Sequence, residues 1–268
     1  MKSNDYLMAR QPSELERLQL QSRVWEPAGR ALLRTIASGD GLGVVDVGCG
    51  AMSWLRILSE WVGGTGSVVG MDISAELLAA ARSFVEAERL DNVRLVEDDL
   101  FDSSLTPASF DLVHARFQLA PIGRTTEQLG AFRRLVRPGG WLVLEEPDAA
   151  SWHFNPPAPA TERLIELIVE AFHAGGGDFG AGRSLRAHLV GLGVEPSLDA
   201  HVIALPPAHP YLRLPLQFAT SLGPRIEAIV GADALASIRT DAEAELSDGT
   251  RWGTTFTLIQ ACGQVPNA

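Results

Sequence analysis

The sequence has little positive charge, one lysine and two cysteines. Its formal net charge is −11, and Lys2 is the only lysine among 268 residues. A nucleic-acid surface needs clustered cations that neutralise phosphates, so we expect no nucleic-acid partner. Cys49 and Cys262 are far apart and match no metal or disulfide spacing. We therefore expect two small buried thiols and no metal centre.

Long apolar runs are also absent. No run has the length that spans a bilayer, and the first residues lack the apolar core segment of a signal peptide. These absences predict a cytoplasmic protein with no membrane association. The apolar content of 46% and the charged content of 21% are typical of a soluble globular protein.

Strand and helix patterns alternate through the first half of the chain. Short apolar runs predict strands, and the segments between them have helical spacing. The predicted strands are residues 44–47, 67–72, 93–98, 110–115 and 141–146. The last of these is almost entirely apolar, as in a parallel sheet covered on both faces. The pattern therefore predicts an open, doubly wound α/β sheet.

Helical segments surround this sheet. Residues 13–37 have helical spacing with a break near Pro27, which predicts two short helices. We predict a helical N-terminal cap at residues 1–40 and a single larger domain at residues 41–268. Within this domain we predict two helical insertions, at about 155–176 and 207–250. Two late strands are predicted at residues 200–206 and 254–263. Residues 206–224 are rich in proline, leucine and aromatic residues, which is typical of an apolar pocket wall, a homodimer contact or ordinary core.

A glycine turn follows the first predicted strand in the segment "VVDVGCGAMSW". Gly48 and Gly50 permit backbone angles that other residues avoid and let the main chain approach a ligand closely. A tight strand-to-helix turn without a ligand would have the same glycines. Asp46 directly precedes the turn, where a carboxylate would repel a pyrophosphate but would attract an ammonium group.

Acidic residues end the next two predicted strands. Asp72 ends the second strand, where a carboxylate can accept hydrogen bonds from both hydroxyls of a ribose. Asp98 and Asp99 end the third strand, and either carboxylate can accept from an adenine amine. Each acid alone is more often a solvated strand end. Together, beside a glycine turn, they indicate a site for an adenosine that carries a cation.

These motifs resemble those of the class I S-adenosylmethionine-dependent methyltransferases. The resemblance covers "VVDVGCG", "GMDIS", "VRLVEDDLFD", "SFDLVHARFQL" and "FRRLVRPGGWLVLEEPD", in the family's order. The segments "ERLQLQSRVWEPAGRALL" and "GRSLRAHLVGLGV" further resemble small-molecule members of the ubiquinone-biosynthesis-like group. The resemblance implies a Rossmann-like, seven-stranded sheet in the order 3-2-1-4-5-7-6, with the last strand antiparallel.

The resemblance also implies S-adenosylmethionine as the cofactor and a set of residues that bind it. Asp46, Gly48 and Gly50 would line the methionine end, Asp72 would bind the ribose, and Asp99 the adenine amine. The remaining implied contacts are Ile73 and Leu100 on the adenine, Ala115 and Arg116 along the cofactor, and Tyr6 and Gln21 from the N-terminal cap.

Met52 departs from the family pattern, which usually has a third glycine at this position. Its side chain either packs into the interface between helix and sheet or crowds the cofactor's amino-acid end. We expect the first, because the surrounding motif is intact.

No motif identifies a catalytic base. Trp152 and His153 follow the fifth strand, over the expected pocket, so His153 is a candidate for acceptor contact. A surface histidine fits the same position. His114 either faces the pocket or packs beneath it, and Glu146 and Asp148 read as solvated strand ends.

The function that these motifs favour is methylation of a small, apolar or aromatic metabolite on oxygen, nitrogen or carbon. One alternative keeps the fold but catalyses another step, such as a cyclisation or a decarboxylation. Another is a non-catalytic binding subunit. A nicotinamide-dependent dehydrogenase fits least well, because Asp46 directly precedes the glycines of the turn after the first strand and that turn contains no GxGxxG.

Overall fold

The structure is a computed structural model. It describes residues 12–52 and 54–267, and the side chains from residue 15 onward. The helices are α1 (Pro12–Leu33), α2 (Leu55–Val62), α3 (Ala75–Glu88), α4 (Leu119–Ile122), α5 (Thr125–Leu135), α6 (Pro159–Ala174), α7 (Leu185–Gly191), α8 (Leu214–Ser221), α9 (Gly223–Val230) and α10 (Ala232–Leu246). In this part of the chain, no helix has the length and apolar character needed to cross a bilayer.

The strands form two sheets. They are β1 (Gly43–Val47), β2 (Ser67–Asp72), β3 (Val93–Glu97), β4 (Phe110–Arg116), β5 (Val136–Asp148), β6 (Phe154–Asn155), β7 (Ser197–His201), β8 (Ala204–Leu205), β9 (Trp252–Thr254) and β10 (Thr257–Gln264). The main sheet has the order β3-β2-β1-β4-β5-β10-β7, and β10 runs antiparallel to both neighbours. Counted in chain order, β7 is the sixth strand of this sheet and β10 is the seventh, so the order is 3-2-1-4-5-7-6 and the predicted topology is confirmed.

Helices cover both faces of the main sheet, as the apolar strands require. Apolar side chains of α2 and α3 pack on one face, and those of α5 and α7 pack on the other. A third apolar cluster joins α6, α8 and α10 to the inner side of α1. Apolar residues of the 206–224 segment, including Tyr211 and Phe218, are buried within that third cluster. Core packing therefore accounts for part of the composition of this segment, and a homodimer stays a prediction, as do the domain boundaries.

The N-terminal segment is one helix and not two. Helix α1 continues through Pro27, which removes one backbone donor from its interior. Trp25 and Ala28 are buried on either side of this proline, and α1 packs against α2 and α8. Packing of the apolar face stabilises the helix by more than the lost hydrogen bond costs, so the predicted break is wrong.

The predicted strand at 200–206 is divided between the two sheets. Strand β7 pairs with β10 in the main sheet, whereas β8 pairs with β9 in a small sheet beneath the helical insertions. The chain changes sheets at Val202 and Ile203, and Val202 is exposed. Periodicity alone could not locate this change, because the apolar alternation continues through it.

A row of buried polar side chains crosses the centre of the main sheet. His114 of β4 lies between two carboxylates, with Nδ1 2.7 Å from Asp46 Oδ1 and Nε2 3.2 Å from Glu145 Oε2. Gln260 of β10 donates to Glu145 Oε1 at 2.6 Å. The His114 ring also stacks on Trp54, with 3.9 Å between ring centroids. Because both ring nitrogens face acceptors, this geometry suits an imidazolium ion.

Replacing His114 by glutamine should destabilise the fold in a pH-dependent way. Burial alone would lower the pKa of His114, but Asp46 and Glu145 outweigh it and raise this pKa above its usual value of 6.5. The stabilisation is therefore fully present below pH 6.5 and is lost as the pH rises through the higher folded-state pKa. We expect His114→Gln to lower the free energy of unfolding by about 3–5 kcal/mol near pH 6 and by less near pH 9.

Urea unfolding of the wild type and of His114→Gln between about pH 6 and about pH 9 measures the difference in their free energies of unfolding. His173→Gln is the matched control, because this histidine is exposed and lies beside a single carboxylate, Asp178. A difference for His114→Gln that does not change with pH would show that the histidine is neutral in the fold.

Candidate functional site

One pocket lies at the carboxyl ends of the parallel strands, between the main sheet and the helical cap. It is lined from β1, β2, β3, β4 and the segment after β5 on one side, and from α1, α6 and α8 on the other. The lining residues used below are Arg17, Gln21, Gly48, Gly50, Met52, Asp72, Ile73, Asp98, Asp99, Leu100, Arg116, Gln118, Phe172, Phe179, Phe218 and Phe256. This is the edge of a doubly wound sheet where ligands bind.

The glycine turn forms the floor of the pocket. Gly48 and Gly50 have φ angles of +67° and +54°, in the left-handed region that favours glycine. Backbone N–H groups of Gly48 and Cys49 donate to Met71 O at 2.7 and 3.0 Å, which fixes the turn to β2. A Cβ atom on Gly48 would lie 2.0 Å from the side-chain amide of Gln118. Gly48 therefore meets both a conformational and a steric requirement.

Asp72 links the glycine turn to the end of β2. Its Oδ2 accepts from Gly50 N at 2.9 Å, and its Oδ1 accepts from Ser74 N at 2.8 Å. Burial raises the pKa of Asp72, and these backbone donors counteract the shift. Each oxygen keeps a second lone pair, so the carboxylate can accept two hydroxyl groups from a ligand as well.

The two acids after β3 differ in how many bonds they already accept. Asp98 Oδ2 accepts from Ser103 Oγ and from both donors of Ser104, and its Oδ1 accepts from Asp99 N. Asp99 Oδ1 accepts from Phe101 N at 3.0 Å. The near-saturation of Asp98 favours Asp99 as the acid that would accept from an adenine amine. Ile73 and Leu100 lie on the same wall and supply apolar surface.

A buried carboxylate shapes the loop that follows β4. Glu146 accepts from the backbone N–H groups of Gln118, Leu119 and Ala120 at 2.8, 2.7 and 3.0 Å. Burial raises the pKa of Glu146 to about 7, although these three bonds lower it. Just before them, Phe117 has a φ of +55°, which is uncommon for a bulky residue. Glu146 thus holds a strained loop against the pocket and is not the solvated strand end that the sequence predicts.

Four phenylalanines form the opposite wall. Phe179 makes edge-to-face contacts with Phe172, Phe218 and Phe256, with ring centroids 5.1, 5.7 and 5.4 Å apart. Such contacts are the preferred arrangement of aromatic rings. Sequence reasoning offered residues 206–224, which contain Phe218, as one possible pocket wall, but it named none of the four phenylalanines, because their apolar patterns are also those of ordinary core. Only the fold brings them together.

The structure places several predicted site residues away from the pocket. Asp46 lies beneath the glycine turn, where its carboxylate accepts from Trp54 N at 3.1 Å and contacts His114, so it does not reach a ligand. Ala115 is buried in the core behind the pocket wall. His153 is exposed, directly before β6, and is not among the residues that line the pocket, so its catalytic role stays a prediction without support from the pocket geometry. Tyr6 lies outside the described residues.

Met52 lies on the pocket wall. It is half-buried and belongs to none of the three apolar clusters of the core. The expectation that Met52 packs between helix and sheet is therefore wrong, and the side chain occupies the position where a third glycine would leave space. The reason is local: the residue lies in the turn before α2, whose inward face begins only at Trp54 and Leu55.

The residues present fit S-adenosylmethionine. The turn at Gly48 and Gly50 gives close access to the backbone, and a Cβ on Gly50 would point into open space. Asp72 and Asp99 are acceptors at the ends of adjacent strands, and Gln21 of α1 reaches the pocket from the cap. Arg116 also lines the pocket, although Ala115 before it does not.

Comparison with known proteins finds similarity to methyltransferases, in agreement with the fit of the pocket to S-adenosylmethionine. The sequence model of a family described as a methyltransferase domain matches residues 44–140. The chain is similar to demethylmenaquinone methyltransferase from Staphylococcus aureus, with 30% identity over 150 residues, which are 56% of this chain and 58% of that protein. The match spans less than two thirds of that relative.

Two solved structures share the fold at low sequence identity. One is phosphoethanolamine N-methyltransferase 2 from Haemonchus contortus, in complex with phosphomonomethylethanolamine and S-adenosylhomocysteine (TM-score 0.53, 18% identity, 91% of this chain and 53% of that one). The other is the [4+2]-cyclase SpnF (TM-score 0.52, 19% identity, 91% of this chain and 84% of that one). At these identities the similarity shows the fold alone.

Asp72→Asn should weaken the binding of S-adenosylhomocysteine at least about tenfold, because hydrogen bonds to a charged acceptor are worth about 1.5–3 kcal/mol each. Asparagine keeps the shape and one acceptor oxygen, so the fold should persist. Glu97→Gln is the matched control, since Glu97 ends the neighbouring strand but is exposed and outside the pocket lining. Calorimetric titration measures the affinity of both variants for S-adenosylhomocysteine. Equal affinities of Asp72→Asn and the wild type would show that Asp72 is not part of the site.

Met52→Gly should strengthen the binding of S-adenosylhomocysteine, because the side chain narrows the pocket where the cofactor's amino-acid end would lie. The free energy of unfolding should fall by only about 1 kcal/mol, the cost of added glycine flexibility. Met52→Leu, which keeps the volume, should behave as the wild type. Titration with 5′-methylthioadenosine, which lacks the amino-acid end, should give equal affinities for all three proteins. A large loss of stability without tighter binding would instead place Met52 in the core.

Proposed function

This chain belongs to the class I S-adenosylmethionine-dependent methyltransferase family, and we propose that it transfers the cofactor's methyl group to a small aromatic or apolar acceptor. The family assignment rests on the domain match over residues 44–140 and on the strand order of the main sheet. The activity, the cofactor and the acceptor of this chain are the proposal.

The observation that carries the proposal is the continuity of the pocket. A single cavity joins the glycine turn and the strand-end acids to the wall of four phenylalanines. The first part suits an adenosine with a charged amino-acid end, and the second suits a flat apolar molecule. A reaction between two such ligands needs both parts in one enclosed space.

The bound cofactor would supply an electrophilic methyl group on a sulfonium, which leaves in an in-line displacement. The chain's own residues would then act by position: the glycine turn and Asp72 fix the donor, and the aromatic wall orients the acceptor and excludes water. Glu146 keeps the intervening loop in place through three backbone bonds.

The relatives favour an aromatic acceptor. The similar curated proteins are named demethylmenaquinone methyltransferases, so their acceptor is a quinone-type ring. The phenylalanine wall of this chain fits a ring of that kind, since offset and edge-to-face ring contacts would continue the packing already present.

A second candidate is a step other than methylation on the same fold, such as a cyclisation. Met52 on the pocket wall favours it, because a side chain at the cofactor's amino-acid end displaces the donor or redirects it. The similarity to a [4+2]-cyclase adds only that the fold accommodates such chemistry.

The test combines binding and transfer. We expect the purified protein to bind S-adenosylmethionine and S-adenosylhomocysteine in calorimetry, and to transfer labelled methyl to aromatic alcohols or hydroquinones. Gly48→Ala should weaken both, because its φ of +67° favours glycine and the Gln118 side chain would have to move away from a Cβ atom; Gly130→Ala is the matched control, since Gly130 of α5 has open space around it. Binding without transfer to any acceptor would favour the non-methylating alternative, and no binding would overturn both readings.

A further inference from the structure

Two arginines line the pocket at its apolar end. Arg17 comes from α1 and Arg116 from the end of β4, and they are 4% and 7% exposed. Guanidinium groups remain charged in proteins, and burying one costs several kcal/mol unless it is paired. The charge of Arg116 beside a phenylalanine wall therefore requires an explanation.

Arg116 has only part of its hydrogen-bonding capacity satisfied by the chain. Its Nε lies 3.9 Å from Glu145 Oε2, and its guanidinium lies near the Phe117 ring. Glu145 already accepts from His114 and Gln260, so it is shared among three groups. Nη1 of Arg116 is buried and has no hydrogen-bond partner among the described residues. A buried donor on a pocket wall without a partner points to a ligand.

Arg17 adds a second positive charge at the same end. Its Nη1 donates to Gln21 Oε1 at 2.8 Å, and its guanidinium lies over the Phe218 ring at 5.0 Å. Burial raises the pKa of the nearby Tyr211 phenol, and the charges of Arg17 and Arg116 both act to lower it. Both guanidinium charges therefore act on the same phenol, that of Tyr211.

The charges of the pocket are separated along its length. The acidic lining residues Asp72, Asp98 and Asp99 end β2 and β3, whereas the arginines lie on α1 and β4. Among the described lining residues there is no histidine, lysine, tyrosine or glutamate. Among the described residues, the arginine end of the pocket presents no base that would remove a proton from a neutral acceptor, and the Arg116 guanidinium would stabilise an acceptor that is already ionised.

We propose that Arg116, assisted by Arg17, binds an oxyanion carried on the aromatic or apolar acceptor, so that the acceptor enters as an acid in its ionised form. The inference rests on the proposed function, because it concerns the acceptor half of the same pocket. A carboxylate and an ionised phenol share the required chemistry, an oxygen anion that accepts from a guanidinium. The phenylalanine wall holds the ring of the acceptor while Nη1 of Arg116 takes the anionic oxygen.

The experiment uses the full chain loaded with S-adenosylhomocysteine and two pairs of probes. In the first pair, 2-naphthoate is compared with 2-naphthamide; in the second, 4-nitrophenolate is compared with 4-nitroanisole. We expect the anion of at least one pair to bind at least about tenfold more tightly than its neutral partner, as charge-assisted hydrogen bonds predict. The pair that shows the preference identifies the carboxylate or the phenolate as the favoured anion.

Variants assign this preference to Arg116. Arg116→Gln, measured with the variant saturated by S-adenosylhomocysteine, should reduce the preference to less than about threefold. Arg116→Lys keeps the charge but not the planar group, so it should keep part of the preference for the anionic probe. This variant replaces Arg116→Gln in the test if the glutamine variant fails to fold. Arg163→Gln is the control, because Arg163 lies on α6 but is exposed and paired with Glu166.

The outcomes separate this inference from the proposed function. If the wild type binds S-adenosylhomocysteine but neither anion binds better than its neutral partner, the inference is wrong and the proposed function stands. If Arg116→Gln loses S-adenosylhomocysteine but keeps 5′-methylthioadenosine, Arg116 holds the cofactor's own carboxylate, and the inference is also wrong. If the wild type binds no S-adenosylhomocysteine, the proposed function fails and takes the inference with it.

Discussion

The His114 ring lies between the carboxylates of Asp46 and Glu145, and this buried triad joins three central strands of the sheet, β1, β4 and β5. Burying charged groups is costly, and it is tolerated only when each group has partners in good geometry. Trp54 covers the ring from one side, and Gln260 continues the row into β10. Strands β1, β4, β5 and β10 are thereby held in register by polar contacts as well as by the backbone ladder.

The pocket depends on this triad at both of its ends. Asp46 also accepts from Trp54 N, at the beginning of α2, so it fixes the point where the chain leaves the glycine turn. At the other end, Glu145 is the acid nearest to Arg116 and is shared with His114. A single buried network therefore connects the turn that would hold the cofactor with the guanidinium that would face the acceptor. Asp46 contributes to the site by supporting it from beneath.

The two faces of β5 carry glutamates with different partners. The side chain of Glu145 enters the triad, and that of the next residue, Glu146, accepts three backbone N–H groups of the loop after β4. Adjacent residues of a strand point to opposite faces, so two consecutive glutamates can serve two separate networks. One stabilises the sheet, and the other holds Phe117 and Gln118 where they meet the pocket.

The sequence by itself determined the part of the protein in which local pattern and function coincide. The apolar runs specified the strands, the resemblance gave their order, and the glycines and strand-end acids located Gly48, Gly50, Asp72 and Asp99 at one edge of the sheet, because parallel strands bring their carboxyl ends together. Only the tertiary structure decided the rest. The direction of the Asp46 side chain depends on His114, which lies 68 positions later in the chain. The acceptor wall depends on phenylalanines from four separate segments. The case for Arg116 depends on its Nη1, which is buried and has no hydrogen-bond partner among the described residues. Burial and long-range pairing create these features, and a linear pattern carries no record of either.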